Sequence, residues 1–189
     1  LGIFEKKEVD MNTNTFNGLM FLIAGFTPFF VYFGLGPDGS GLLNQARAEQ
    51  LFAYLYFSLP IAFMMTRRIE SNHFVSAGLI ILIASMSMSM VADAFRADSN
   101  LVNVANAVVI TAYSSNMLGA AICGVGISQT SIFPKWLSTL FAVIAGIAFF
   151  ILATTNPQEL DTKVVLLPFV LSFHVILIVL GVLMIRRSD

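Results

Sequence analysis

Residues 163–186 show what kind of fold this chain adopts: they read KVVLLPFVLSFHVILIVLGVLMIR, with charged residues only at the two ends. A helix needs about 20 mainly apolar residues to cross the hydrocarbon core of a bilayer. Working outward from this stretch, comparable runs occupy most of the chain, at about 17–35, 48–66, 73–95, 101–128 and 135–155. The sequence therefore predicts an all-α polytopic membrane protein, a compact bundle of six transmembrane helices.

The overall composition agrees with this prediction. Of the 189 residues, 57% are hydrophobic and 11% are charged, and the mean hydropathy is +0.84. A soluble domain of this size would carry roughly a quarter charged residues. We expect a polar N-terminal segment at 1–16 and a six-helix domain at 17–189, with no room for a second, soluble domain. Met11 is a candidate natural start, so residues 1–10 are either foreign or an upstream piece of the same protein.

The distribution of Lys and Arg predicts how the helices are oriented. Cytoplasmic loops of membrane proteins retain an excess of positive charge. One side of the predicted bundle has seven such residues: Lys6, Lys7, Arg67, Arg68, Lys135, Arg186 and Arg187. The other side has three: Arg47, Arg96 and Lys163. Both termini are therefore predicted to be cytoplasmic.

Several classes of function have no support in the sequence. The net charge is −1, so no basic surface indicates a nucleic-acid partner. With Cys123 as the single cysteine, a disulfide within the chain and a cysteine-based metal site are excluded. Met86, Met88 and Met90 are two residues apart, which puts successive sulfurs on different helix faces and argues against a shared copper ion. We predict no cofactor, no metal and no catalytic residue.

Polar residues at mid-membrane depth are the most informative pattern in the chain. Counting about 1.5 Å per helical residue brings His174 close to the bilayer midplane. Ser85 of the third predicted helix and Ser114, Ser115 and Asn116 of the fourth lie at similar depth. An ionisable residue at that depth usually faces the interior of the bundle and marks a functional site. The alternative for His174 is a neutral ring hydrogen-bonded to a neighbouring serine or carbonyl.

A second polar group lies toward the outer surface. Asn103 and Asn106 are three residues apart and share one helix face, close to Asp93 at the end of the preceding helix. Together they are predicted to line a vestibule that continues inward to His174. The alternative is a solvated interface in which Asp93 and Arg96 form an ion pair.

Three functional classes follow from these observations. A transporter or channel for a small solute or ion would use the polar layer as its pathway and would be expected to form a homo-oligomer. A non-catalytic accessory subunit of a larger membrane complex would explain the minimal loops and abundant phenylalanine. An intramembrane enzyme would pair Ser114 or Ser115 with His174, but no Gly-x-Ser-Gly motif surrounds either serine.

The last third of the chain resembles small uncharacterised bacterial six-helix membrane proteins. The similarity is carried by residues 132–137, IFPKWL, by Ala145-Gly146, and by the ending LGVLMIRR at 180–187. In those proteins a Pro-basic-Trp-Leu turn opens the fifth helix, and a basic end closes the sixth. The resemblance implies a bacterial inner-membrane location and no particular activity.

Overall fold

The computed structural model describes residues 12–96, 99–156 and 166–187, and this part of the chain contains helices and no β-strand. A π-helical segment, Phe29–Leu35, directly continues the first helix, and a short 3₁₀ turn, Ser99–Leu101, precedes the fifth. The α-helices are α1 Thr13–Pro28, α2 Gln45–Tyr56, α3 Ser58–Ile69, α4 His73–Arg96, α5 Val102–Ser128, α6 Lys135–Ala153 and α7 Leu166–Arg186. The predicted all-helical fold is confirmed.

Five helices within the described residues are long and apolar enough to cross a membrane. These are α1 with its π-helical extension, α4, α5, α6 and α7. Large apolar side chains cover their outer surfaces; Ile80 is 72% exposed and Phe150 is 67% exposed. Such surfaces suit hydrocarbon rather than water, and the chain is an integral membrane protein.

The predicted second span, 48–66, is a broken helix rather than a continuous one. It consists of two 12-residue helices, α2 and α3, which meet at Phe57. Pro60 explains the break, because proline has no N–H to donate to the carbonyl of Tyr56 and its ring clashes with that carbonyl. Neither half has the length of a crossing, so the structure does not confirm the predicted count of six spans.

Pro28 has a similar effect on the first span. It cannot donate to the carbonyl of Ala24, and the residues that follow it adopt π-helical turns as far as Leu35. Membrane helices tolerate such breaks where the released carbonyls face protein or a cavity. Both breaks lie in the same half of the bundle.

The helices form a closed ring in which α1 packs on α7, followed by α6, α5, α4 and the α2–α3 pair, which returns to α1. Glycines bring the backbones together, as expected where lipid provides no hydrophobic drive for helices to associate. A Cβ atom on Gly18 would lie 2.7 Å from the carbonyl oxygen of Gly181, and one on Gly119 would lie 3.0 Å from that of Gly78. In the same way Gly124 of α5 packs on Ala142 of α6, where an added Cβ would lie 2.9 Å from the Ala142 backbone. The α1–α7 pairing was not predicted.

Candidate functional site

A cavity of about 480 Å³ lies inside the ring of helices. It opens where the π-helical segment ends and α2 begins, which we call the far face, and it ends near the middle of α7 at His174. The opposite surface, where α1 begins and α7 ends, is called the N-terminal face. The lining residues are Pro28, Tyr32, Phe33, Asp38, Gln45, Glu49, Phe52, Ala53, Tyr56, Met86, Ser89, Asp93, Tyr113, Asn116, Met117, Leu152, Leu167, Val170, Leu171 and His174.

The lining follows from helical periodicity, because residues three or four apart share a face. On α7 the lining positions are 167, 170, 171 and 174, and on α4 they are 86, 89 and 93. On α5 they are 113, 116 and 117. Each helix therefore turns a single stripe toward the cavity.

His174 forms part of the floor of the cavity and is 3% exposed. Its Nδ1 atom lies 2.7 Å from the carbonyl oxygen of Val170. Because a carbonyl can only accept, Nδ1 donates this bond, and in the neutral ring Nε2 is left as an acceptor. That Nε2 atom is buried without a partner. Gly25 helps to position the ring, since it allows α1 to approach the backbone carbonyl of His174.

Asn116 contributes a second unpaired acceptor to the floor. It is 4% exposed, and its Nδ2 atom lies 3.4 Å from Ser85 Oγ and 3.6 Å from Met86 Sδ. Ser85 Oγ donates to the carbonyl of Leu82, which leaves it able to accept from the Asn116 amide. The amide oxygen Oδ1 is buried without a partner.

Tyr56 adds a third unpaired polar atom, its hydroxyl group. A row of rings leads to it from the far face: Tyr32 and Phe52 have centroids 5.5 Å apart, and Phe52 stacks on Tyr56 at 4.8 Å. Tyr56 in turn lies 5.7 Å from the ring of His174. Leaving a buried polar group unpaired costs about 1–3 kcal/mol, so three of them around one cavity indicate a place where something polar binds.

The mouth of the cavity is acidic. Asp38, Glu49 and Asp93 line it, and Glu49 accepts a hydrogen bond from Gln45 at 2.9 Å. Among the described residues that line the cavity there is no Lys or Arg. Arg47 lies two residues from Gln45 and from Glu49 and is exposed, with its guanidinium donating to Gln50. The predicted ion pair between Asp93 and Arg96 involves the Arg96 side chain, which lies outside the described part of the chain.

The structure sorts the predicted site residues into three groups. His174, Asn116 and Asp93 line the cavity, and Ser85 supports Asn116 from behind. The other predicted residues lie off the cavity: Ser114, Ser115, Asn103 and Asn106.

Helix geometry explains why these four residues lie off the cavity. Successive residues turn by about 100°, so Ser114 and Ser115 have the right depth but face away from the direction of Asn116. The hydroxyl of Ser114 donates to the carbonyl of Thr111. Asn103 is exposed and Asn106 is half-buried near the far end of α5. The serine–histidine pair of the enzyme hypothesis therefore does not meet in this cavity.

A cluster of phenylalanines separates the floor from the N-terminal face. Phe21 contacts Phe63 and Phe133 edge to face, with centroids 5.3 and 5.8 Å apart. Phe141 lies 5.9 Å from Phe63 and stacks on Phe173 at 4.9 Å. All five are buried, and Phe173 directly precedes His174. We call these five residues the phenylalanine plug; it closes the cavity on this side.

No group of three or more His, Cys, Asp or Glu side chains that could hold a metal ion occurs among the described residues. No protein-family model matches the chain, and neither a curated protein nor a solved structure matches it. The case for a function therefore depends on the geometry of the cavity alone.

Proposed function

We propose that the protein is a transporter for a small solute and that the cavity is its binding site. The observation that carries this proposal is a deep cavity that opens on one face and ends at three buried, unpaired polar atoms. Transporters place their sites near the bilayer midplane, next to broken helices, and here the α2–α3 helix is interrupted at Phe57 and the first helix changes to π-helical turns after Pro28. Since the phenylalanine plug closes the other side, the solute would cross by a change of conformation rather than through an open pore.

The proposed arrangement in the membrane has six crossings, with both termini in the cytoplasm of a bacterial cell. Together α2 and α3 cover residues 45–69, about 37 Å of helix, which is enough to span roughly 30 Å of hydrocarbon. The seven Lys and Arg residues on the side of the termini support the orientation. In this orientation the cavity opens away from the cytoplasm.

An accessory role in a larger complex is the second candidate, and one surface favours it. Phe26 and Phe30 are four residues apart on one side of the first helix and its π-helical extension, and each is more than half exposed. Such a pair of rings could pack against a partner helix as well as against lipid. Under this hypothesis the cavity would be a packing defect without transport.

Side-specific thiol labelling tests the cavity directly. In a Cys123→Ala background, Ala53→Cys places a thiol in the cavity wall, whereas Ala145→Cys places one in the packed interior of α6, off the cavity. We expect a membrane-impermeant cationic thiosulfonate, added on the far-face side of reconstituted vesicles, to label the first variant and to spare the second. Equal labelling of both, or labelling of Ala53→Cys only from the N-terminal side, would contradict the proposed geometry.

Uptake into proteoliposomes tests transport itself. Labelled 1,4-diaminobutane, glycerol and succinate represent cationic, neutral and anionic solutes, and at least one should enter faster than into protein-free vesicles. Uptake of none of them, together with a stoichiometric complex with another protein in native mass spectrometry of gently extracted membranes, would favour the accessory role.

A further inference from the structure

The size of the cavity restricts what it can hold. Water occupies about 30 Å³ per molecule in the liquid, so about 480 Å³ far exceeds the space needed by a bare ion. Pockets for small organic ligands begin at about 300 Å³. The occupant is therefore an organic molecule, either alone or together with several water molecules.

The floor requires hydrogen-bond donors from this molecule. His174 Nε2 accepts in the neutral ring because Nδ1 already donates to Val170, and Asn116 Oδ1 can only accept. The hydroxyl of Tyr56 can do either. A ligand group rich in N–H or O–H donors would satisfy all three atoms, whereas a carboxylate or phosphate would face two acceptors.

The mouth favours positive charge, and the wall provides apolar surface. Tyr32, Phe52 and Tyr56 form a continuous row of rings from the far face to the floor, along which an aliphatic chain can pack. Glu49 and Asp93 add carboxylates nearer the mouth. Asp38 is a third acidic residue in the lining, and no Lys or Arg occurs among the described lining residues.

The two polar zones are well separated along the cavity. Asn116 is level with Met86, since Nδ2 and Sδ are 3.6 Å apart. Asp93 lies seven residues further along α4, which is about 10 Å of helix. An elongated molecule could thus bind the floor with one end while its other end reaches the acidic mouth.

We infer that the cavity binds a small aliphatic ammonium ion, with its ammonium group donating to His174, Asn116 and Tyr56. Its methylene chain lies along the aromatic row, and its far end points to Glu49 and Asp93. This inference names the substrate class of the transport function proposed above and rests on it.

A series of three molecules with the same four-carbon chain tests the inference. 1,4-Diaminobutane, 4-amino-1-butanol and 1,4-butanediol carry two, one and no positive charges, and all can donate hydrogen bonds. Isothermal titration calorimetry on the detergent-purified full chain should give affinities in that order. The monoamine should bind about tenfold more tightly than the diol, because charge-assisted hydrogen bonds are roughly twice as strong as neutral ones. Equal affinity for monoamine and diol, or no amine binding, would overturn the inference.

Two substitutions at the floor place the bound ammonium group. Asn116→Leu removes the acceptor and should weaken binding of 4-amino-1-butanol about tenfold or more. Asn116→Asp keeps an oxygen acceptor of the same shape, so amine affinity should hold or rise while affinity for the diol stays the same. If Asn116→Leu does not fold, the test depends on Asn116→Asp. A loss of amine affinity in Asn116→Asp would overturn the inference.

A matched pair of glutamates tests the acidic mouth. Glu49→Gln removes a carboxylate from the cavity and should weaken binding of 1,4-diaminobutane, whose second ammonium group reaches the mouth, by about threefold, as expected for a partly solvated charge. Glu70→Gln is the control, because Glu70 lies at the N-terminal face and accepts hydrogen bonds from Ser131. Equal effects of the two substitutions would contradict a cation held at the mouth.

Binding and uptake together separate this inference from the transport proposal. Amine binding that depends on Asn116, without uptake into proteoliposomes, would support the inferred ligand class and contradict the proposed transport function. Uptake of glycerol or succinate, without amine binding, would support the proposed transport function and contradict the inferred ligand class.

Discussion

The two halves of the bundle satisfy their polar groups in opposite ways. Around the cavity, His174, Asn116 and Tyr56 each keep a buried polar atom without a partner. Toward the N-terminal face the phenylalanine plug fills the interior, and the polar side chains of Asn17, Thr66 and Arg187 are paired. Asn17 is hydrogen-bonded to Thr66, and Arg187 donates to carbonyls of the loop before α6.

The difference separates a tightly packed half of the bundle from a half that contains the cavity. Buried polar atoms are nearly always paired in stable proteins, and unpaired ones call for an explanation. Here three of the four such atoms found among the described residues belong to residues that line the cavity, and the fourth, Ser58 Oγ, lies two residues beyond Tyr56. Under the proposed transport function, the tightly packed half would be the closed gate and the half with the cavity would be the binding site. The following predictions test that contrast.

The largest expected effect is that of Phe141→Ala in the plug. Removing a fully buried ring that contacts Phe63 and Phe173 should destabilise the protein by about 3–5 kcal/mol in denaturant unfolding. Phe150→Ala is the control, because that ring lies on the same helix and is 67% exposed. If the two substitutions cost the same, the plug is not the tightly packed half.

A smaller effect is expected for Gly25→Ala, which tests the contact that positions His174. The new methyl group would lie 2.9 Å from the backbone nitrogen of Ile178 and 3.0 Å from the carbonyl oxygen of His174, so α1 and α7 must separate. We expect a loss of about 1–3 kcal/mol in unfolding free energy and weaker ligand binding.

Gly146→Ala is the matched control for that substitution, because a methyl group there meets nothing within 4 Å. Alanine is the better helix former, and the control should be neutral or stabilising by about 0.5–1 kcal/mol. Equal tolerance at both positions would show that α1 and α7 do not pack as described.

The smallest effect compares two hydroxyl groups. Thr66→Val removes a hydroxyl that donates to the carbonyl of Ala62 and is bonded to Asn17, and it should cost about 1 kcal/mol. Tyr56→Phe removes a hydroxyl with no partner while keeping the ring stack with Phe52, and the ligand-free protein should lose no stability. Thermal unfolding without ligand measures both, and a larger loss for Tyr56→Phe would remove the contrast between the two halves.

The sequence predicted the parts of the site that depend on depth. Counting residues from the helix ends singles out His174 and Asn116, while Asp93 belongs to the predicted outer polar group, and all three line the cavity. Ser114 and Ser115 satisfied the same count but point elsewhere, because depth says nothing about direction around the helix axis. Choosing the correct face of α5 required knowing which helices surround it.

Two features of the structure leave only a weak signal in the amino-acid sequence. Tyr56 was missed because a tyrosine in an apolar run looks like ordinary packing, although Pro60 four residues later marks the helix break beside it. The packing of α1 on α7 joins Gly18 to Gly181, which lie at opposite ends of the chain. No local periodicity reports such a contact.

The break at Phe57 also has a consequence for how the protein is made. The helix over residues 45–69 is interrupted at Phe57, and neither half is long enough to be a crossing by itself, whereas α1 with its π-helical extension and α4 on either side are. In the six-crossing arrangement this segment would leave the translocon only by packing against those neighbours, which it contacts in the finished bundle. Substitutions that weaken these contacts would therefore first appear as chains inserted with the wrong topology during synthesis.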